Sequence, residues 1–108
     1  MKKFIDIGTI GDYLREEWLE PLRLSGNRVA LAIGVPANRI NDIVNGKRGI
    51  SADTDLRLCK YFGMSDGHFL RMQDYINTVL ARRKIEDKLS AIVPFANDNV
   101  RTQDLMVM

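Results

Sequence analysis

A single cysteine and a single histidine rule out most of the chemistry that a chain of 108 residues could carry. Cys59 has no partner for an internal disulfide. It falls between Leu58 and Phe62 in an apolar helical stripe, where cysteine behaves as a small hydrophobe rather than a reactive thiol. So few thiolate and imidazole ligands make no metal-binding cluster. No Gly-rich phosphate loop of the Walker or dinucleotide type is present. His68 has no convergent partner in the sequence and reads as a surface or packing residue. Long apolar runs are missing as well, so no segment is long enough to span a bilayer. The opening Met1-Lys2-Lys3-Phe4-Ile5 is interrupted by Asp6 and Gly8 before a signal-like core develops. The expectation is therefore a cytoplasmic chain with no catalytic residue, no metal and no cofactor.

What is present suits one compact domain: 45% of the residues are apolar, enough for one core but not two. The net charge of +2 is small, but its distribution is uneven. Residues 1–21 carry −2 and residues 51–108 are balanced. Residues 22–50 carry +4, with Arg23, Arg28, Arg39, Lys47 and Arg48 against Asp42 alone. Positive charge gathered in one short stretch is what a local phosphate-binding footprint requires.

Apolar spacing and end signals predict five helices. The first is expected from about Asp12 to Glu20, with Leu14, Trp18, Leu19 and Leu22 inward. Asp12, Glu16 and Glu17 read as a solvated face rather than a catalytic carboxylate pair. Ser25 caps the second, which buries Val29, Ala30 and Ile33 and stops at Gly34. The third opens with Pro36 in its first turn, buries Ile40, Ile43 and Val44, and ends at Asn45-Gly46. After the basic loop Lys47-Arg48-Gly49-Ile50, Ser51 caps a fourth helix. It runs to Phe62, with Leu56, Leu58, Cys59 and Phe62 as its apolar set and Gly63 as its stop. The fifth starts at Ser65 or Asp66 and carries Phe69, Met72, Ile76, Val79 and Leu80 on one face. That period resumes at Ile85, Leu89 and Ile92 before Pro94.

Only Gly34-Val35 separates the second and third helices. Such a tight turn sets two short helices at a steep angle, so that the second can enter a major groove while the first crosses the phosphates. Small Ala30, Gly34, inward Val35, and Ile40 and Ile43 beneath all fit that helix-turn-helix. The third helix exposes Ala37, Asn38, Arg39, Asn41, Asp42 and Asn45. Asn pairs with adenine, Arg with guanine, and Ala37 with a thymine methyl. A generic solvated face would favour Glu and Lys over Asn, which is a poorer helix former. Lys47 and Arg48 are placed to meet phosphates after the helix, as are Ser25, Asn27 and Arg28 at the start of the preceding one. Asp42 would repel phosphate, so it either accepts from a cytosine amino group or orients Arg39.

These residues resemble the Xre-type repressor domain, and more narrowly the HigA antitoxins, over about residues 11–80. The resemblance rests on Leu14-Arg15-Glu16-Glu17-Trp18-Leu19-Glu20-Pro21-Leu22 and on Gly34-Val35-Pro36 followed by Arg39-Ile40. It rests also on Ile43-Val44-Asn45-Gly46-Lys47-Arg48-Gly49-Ile50-Ser51-Ala52-Asp53-Thr54. Two places differ from many relatives: Thr9-Ile10-Gly11-Asp12 stands where they have His-Pro-Gly, and Phe69-Leu70 where they have Trp. The resemblance implies an all-α, five-helix lambda-repressor-like domain with an extended C-terminal helical region. It also implies a homodimer on double-stranded operator DNA, and a partner ribonuclease toxin of the HigB or RelE-like fold. The expected organisation is an N-terminal arm over 1–10, the DNA-binding domain over 11–80, a helical extension over 81–96 and a flexible tail over 97–108. The apolar face from Phe69 to Ile92 either pairs two copies or packs on the first helix. A free-standing Xre repressor without a toxin, and a module that binds only protein, are the competing readings.

Overall fold

The computed structural model describes residues 8–97, and every regular element among them is helical. The expected arm and tail lie largely outside the described residues. The first helical rod comprises α1 (Ile10–Leu14), a π-helical turn (Arg15–Leu19) and α2 (Glu20–Leu22) in unbroken succession. It opens two residues before the expected Asp12, because Thr9 and Asp12 form a reciprocal cap: the Thr9 hydroxyl accepts from the Asp12 N–H and the Asp12 carboxylate from the Thr9 N–H. The wide turn has a local reason. A proline ring collides with the carbonyl four residues back, and the wider turn just ahead of Pro21 makes room for it. The rod ends at Arg23, the one described non-glycine residue with positive φ (56°).

Four further rods follow: α3 (Gly26–Ile33), α4 (Arg39–Val44), α5 (Ala52–Phe62) and α6 (His68–Ser90), with a 3-10 turn at Phe95–Asn97. Ser25 and Ser51 cap α3 and α5 as expected, and Gly34 and Gly63 end them with φ of 76° and 73°. The third helix starts three residues later than expected. Pro36, Ala37 and Asn38 are used up in a turn closed by the Arg39 N–H on the Pro36 carbonyl (2.9 Å).

Of the described residues, those up to Thr78 form one compact unit and those from Val79 a second. The core of the first contains Leu14, Leu19, Val29, Ala30, Ile33, Ile40, Ile43, Leu58, Cys59, Phe69 and Ile76. Several apolar expectations fail: Leu22 and Leu56 are half exposed, Val44 and Phe62 are only half-buried, and Thr54 and Asp55 join Leu58 and Cys59 on the buried side of α5. Cys59 is buried as a packing residue. Phe69 packs on Tyr13 and Trp18, so this part of the apolar face serves packing on the first rod. His68 belongs to the same cluster and meets the Tyr13 hydroxyl through Nε2 at 2.9 Å.

Asp55 decides where α6 begins. Its carboxylate is fully buried and accepts from the main-chain N–H groups of Gly67 (2.7 Å), Phe69 (2.9 Å) and Leu70 (3.0 Å). These are donors that a helix leaves unpaired at its N-terminus, where negative charge is also favoured. The cap comes from another helix rather than from Ser65 or Asp66. In the second unit, α6 continues with a non-helical backbone at Ile85 (φ −118°, ψ 19°). It ends at Ser90, short of Pro94, and Ile92, Val93 and Phe95 are exposed.

Candidate nucleic-acid interface

The α3–α4 pair is built from both sides. Ala30 is buried, and the Val35 N–H returns to its carbonyl at 3.0 Å, which fixes the tight connection. Ile40 and Ile43 fill the core beneath α4. From behind, Gly11 lets the first rod approach the end of α4. A Cβ there would collide with the Ile43 carbonyl oxygen and lie 2.7 Å from that of Val44. Arg57 of α5 reaches the end of α3 and donates from Nη1 to the carbonyls of Ile33 (2.8 Å) and Gly34 (3.3 Å). A cation on the last carbonyls of a helix satisfies acceptors the helix itself cannot.

With its apolar side fixed, α4 turns its polar side outward. Ala37, Asn38, Asn41 and Asn45 are exposed, as are Ser25, Asn27 and Arg28 at the start of α3 and Lys47 and Arg48 beyond α4. Asn41 donates from Nδ2 to Asn27 Oδ1 (3.1 Å) and lies over Gly26, where any Cβ would collide with its side-chain oxygen. A side-chain amide such as that of Asn41 carries the donor–acceptor couple that an adenine edge requires. Asn27, expected at phosphates, therefore also fixes the orientation of the Asn41 amide.

Of the two roles expected for Asp42, accepting from a cytosine or orienting Arg39, the second is not what the side chain does. It accepts from Asn38 Nδ2 (3.2 Å), so it orients Asn38 rather than Arg39. Arg39 is half-buried and leans towards α5, donating from Nη1 to Thr54 Oγ1 (3.3 Å). Ser25 uses its hydroxyl to cap α3 by accepting from the Arg28 N–H (3.1 Å).

The basic loop is held at both ends. The Lys47 N–H donates to the Asp42 carbonyl at 2.8 Å. At the far end the Gln73 side chain of α6 grips the main chain of Ile50: the Ile50 N–H donates to Oε1 (2.7 Å), and Nε2 donates to the Ile50 carbonyl (2.9 Å). Sequence reasoning missed Gln73, Asp55 and Arg57. Only Arg57 left a local trace, its i,i+4 pairing with Asp53 (3.0 Å).

A polar helix presented on a tight two-helix unit, with cations on the loop after it, defines a helix-turn-helix DNA-binding protein. The helix-turn-helix family model matches residues 16–69. Virulence-associated protein I of Dichelobacter nodosus is 41% identical over 88 residues, 82% of this chain and 81% of its own length. The Pseudomonas aeruginosa antitoxin HigA with higBA promoter matches with a TM-score of 0.70 and 33% identity, over 80% of this chain and 95% of that one. A further Pseudomonas aeruginosa structure, of PA4674 in complex with its 18-bp operator DNA, matches with a TM-score of 0.73 and 34% identity, over 79% of this chain and 90% of that one. The chain belongs to the Xre-type helix-turn-helix family, and its structural neighbours are HigA antitoxins. That family comprises DNA-binding antitoxins and transcriptional regulators, not enzymes.

Proposed function

We propose that the chain is the antitoxin of a type II toxin–antitoxin pair, binding its own operator as an autorepressor and neutralising a HigB-like ribonuclease toxin. The observation that carries the DNA half is the exposed Asn38–Asp42 and Asn27–Asn41 face over the buried Ile40 and Ile43. Such a face offers donors and acceptors to base edges while its anchor stays rigid. Asn38, Asn41 and Ala37 read bases, with Arg39 once it leaves Thr54. Asn45, at the end of α4, contacts the duplex beside them. Lys47, Arg48, Arg28, Asn27 and Ser25 hold the backbone. Residues 11–80 act as the DNA-binding domain and 81–96 as an extension. The exposed Ile85, Ile92 and Phe95 supply an apolar surface for pairing two copies. A symmetric pair would set its two α4 helices roughly 34 Å apart, one turn of the duplex.

The toxin half rests on the likeness to HigA antitoxins. Co-expression with the adjoining gene tests it. Copurification of a basic protein whose ribonuclease activity the chain suppresses supports the antitoxin role. Failure to bind or inhibit any adjoining gene product leaves a free-standing repressor. A gel shift with the gene's own upstream DNA tests the operator role separately, and no specific shift would reduce the chain to a protein-binding module.

A further inference from the structure

The geometry points to Gln73 as a positioning residue for DNA binding, one that holds the basic loop in its phosphate-contacting form without touching DNA itself. This rests on the operator-binding reading above. Three observations converge on it. The loop's two exposed cations, Lys47 and Arg48, stand between two fixed points, the Lys47 N–H on Asp42 and the Ile50 main chain on Gln73. The Gln73 amide uses donor and acceptor together on one residue, an arrangement that fixes orientation as well as distance. Gly49, next to Ile50, leaves the space that the amide occupies: a Cβ there would lie 2.8 Å from Gln73 Oε1. Its φ lies outside the left-handed region, so what favours glycine at this position is the room the amide takes and not the backbone.

The physical consequence is preorganisation. A phosphate contact made by a loop that must first be ordered is weakened by the entropy of ordering it. Gln73 removes that penalty in advance. It does so from α6, which packs on the first rod through fully buried Phe69. A carboxylate cannot replace the amide. The substitution Gln73→Glu would keep an acceptor for the Ile50 N–H but set an oxygen against the Ile50 carbonyl.

The test is a double-mutant cycle on operator affinity, measured at several salt concentrations with the gene's own upstream DNA. It uses wild type, Gln73→Ala, Gly49→Ala and the double variant, with Arg48→Ala as reference. Gln73→Ala is expected to weaken binding about tenfold and to lower the salt slope towards that of Arg48→Ala. Gly49→Ala should act in the same direction but less, because the tip of the amide can shift aside. The double variant should then bind no worse than Gln73→Ala, because the collision has gone with the side chain. Additive losses, or a Gln73→Ala variant with wild-type affinity and slope beside a weakened Arg48→Ala, overturn the role of Gln73. If Arg48→Ala also keeps the wild-type affinity and slope, the operator-binding reading fails instead. Should Gln73→Ala not fold, Gln73→Glu carries the test, and wild-type binding by it sinks the inference.

Discussion

The α5–α6 half of the first unit and its α3–α4 half are fastened by different chemistry. Between α5 and α6 a fully buried carboxylate, Asp55, collects three main-chain N–H groups. Between α3 and α4 the polar links are neutral side-chain amides at the surface, Asn27 with Asn41, and α4 adds Asn38 with Asp42 on its own face. Hydrogen bonds to a buried charge are worth more, and are more costly to break, than bonds between groups open to solvent. Stability is therefore concentrated away from the proposed DNA face. That proposed face keeps bonds that can be exchanged for bonds to a base at little net loss.

That contrast can be broken from either side. The largest expected effect is Asp55→Ala, which leaves the start of α6 uncapped and empties a buried site. A loss of about 3 kcal/mol is expected in denaturant unfolding, and operator binding should fall only as the folded fraction falls. Next comes Gly11→Val. Its side chain would be driven into the Ile43 and Val44 carbonyls, which cannot rotate away, and overpacking of this kind costs about 2 kcal/mol. This variant should lose DNA affinity beyond its stability loss, because α4 itself is displaced; unfolding and gel-shift titrations on one preparation separate the two.

Asn41→Ala sharpens the contrast. Stability should change by about 0.5 kcal/mol or less. Discrimination at one base pair should drop by about 1–3 kcal/mol, read from affinities for a set of single-substitution operators. The smallest effect is expected for Leu22→Lys. This side chain is 53% exposed despite its apolar spacing, so the thermal midpoint should stay near that of wild type.

What the sequence made legible is local. Ser25 with Gly34 and Ser51 with Gly63 bracket α3 and α5 because cap and stop chemistry acts within one turn. The helix-turn-helix was readable for the same reason, since its turn is only two residues long. Distant pairings left no trace: Asp55 reaches Gly67 and Gln73 reaches Ile50, and no helical period or end signal links either pair. Leu22 and Leu56 show another limit. Apolar spacing says which face of a helix can be buried, but the neighbouring rods decide how far along it burial extends. Pro36 was read as a helix start because its φ suits a first turn, yet the chain spends that residue and the next two on entering α4. At the interface, the exposed asparagines of α4 were visible as a class, but their partners were not. The bond from Arg39 to Thr54 and the pairing of Asp42 with Asn38 depend on how α4 is rotated over the core.

The central claim is that α4 and the loop after it form the surface that meets DNA. The most direct measurement is the salt dependence of binding to the gene's own upstream fragment, comparing wild type with the Lys47→Ala/Arg48→Ala double variant by fluorescence anisotropy. Each phosphate contact adds about 0.9 to the magnitude of the slope of log affinity against log salt, so the double variant should lose about two units and bind weakly at every salt concentration. Equal slopes and equal affinities for the two proteins would place the DNA on some other surface and contradict the account.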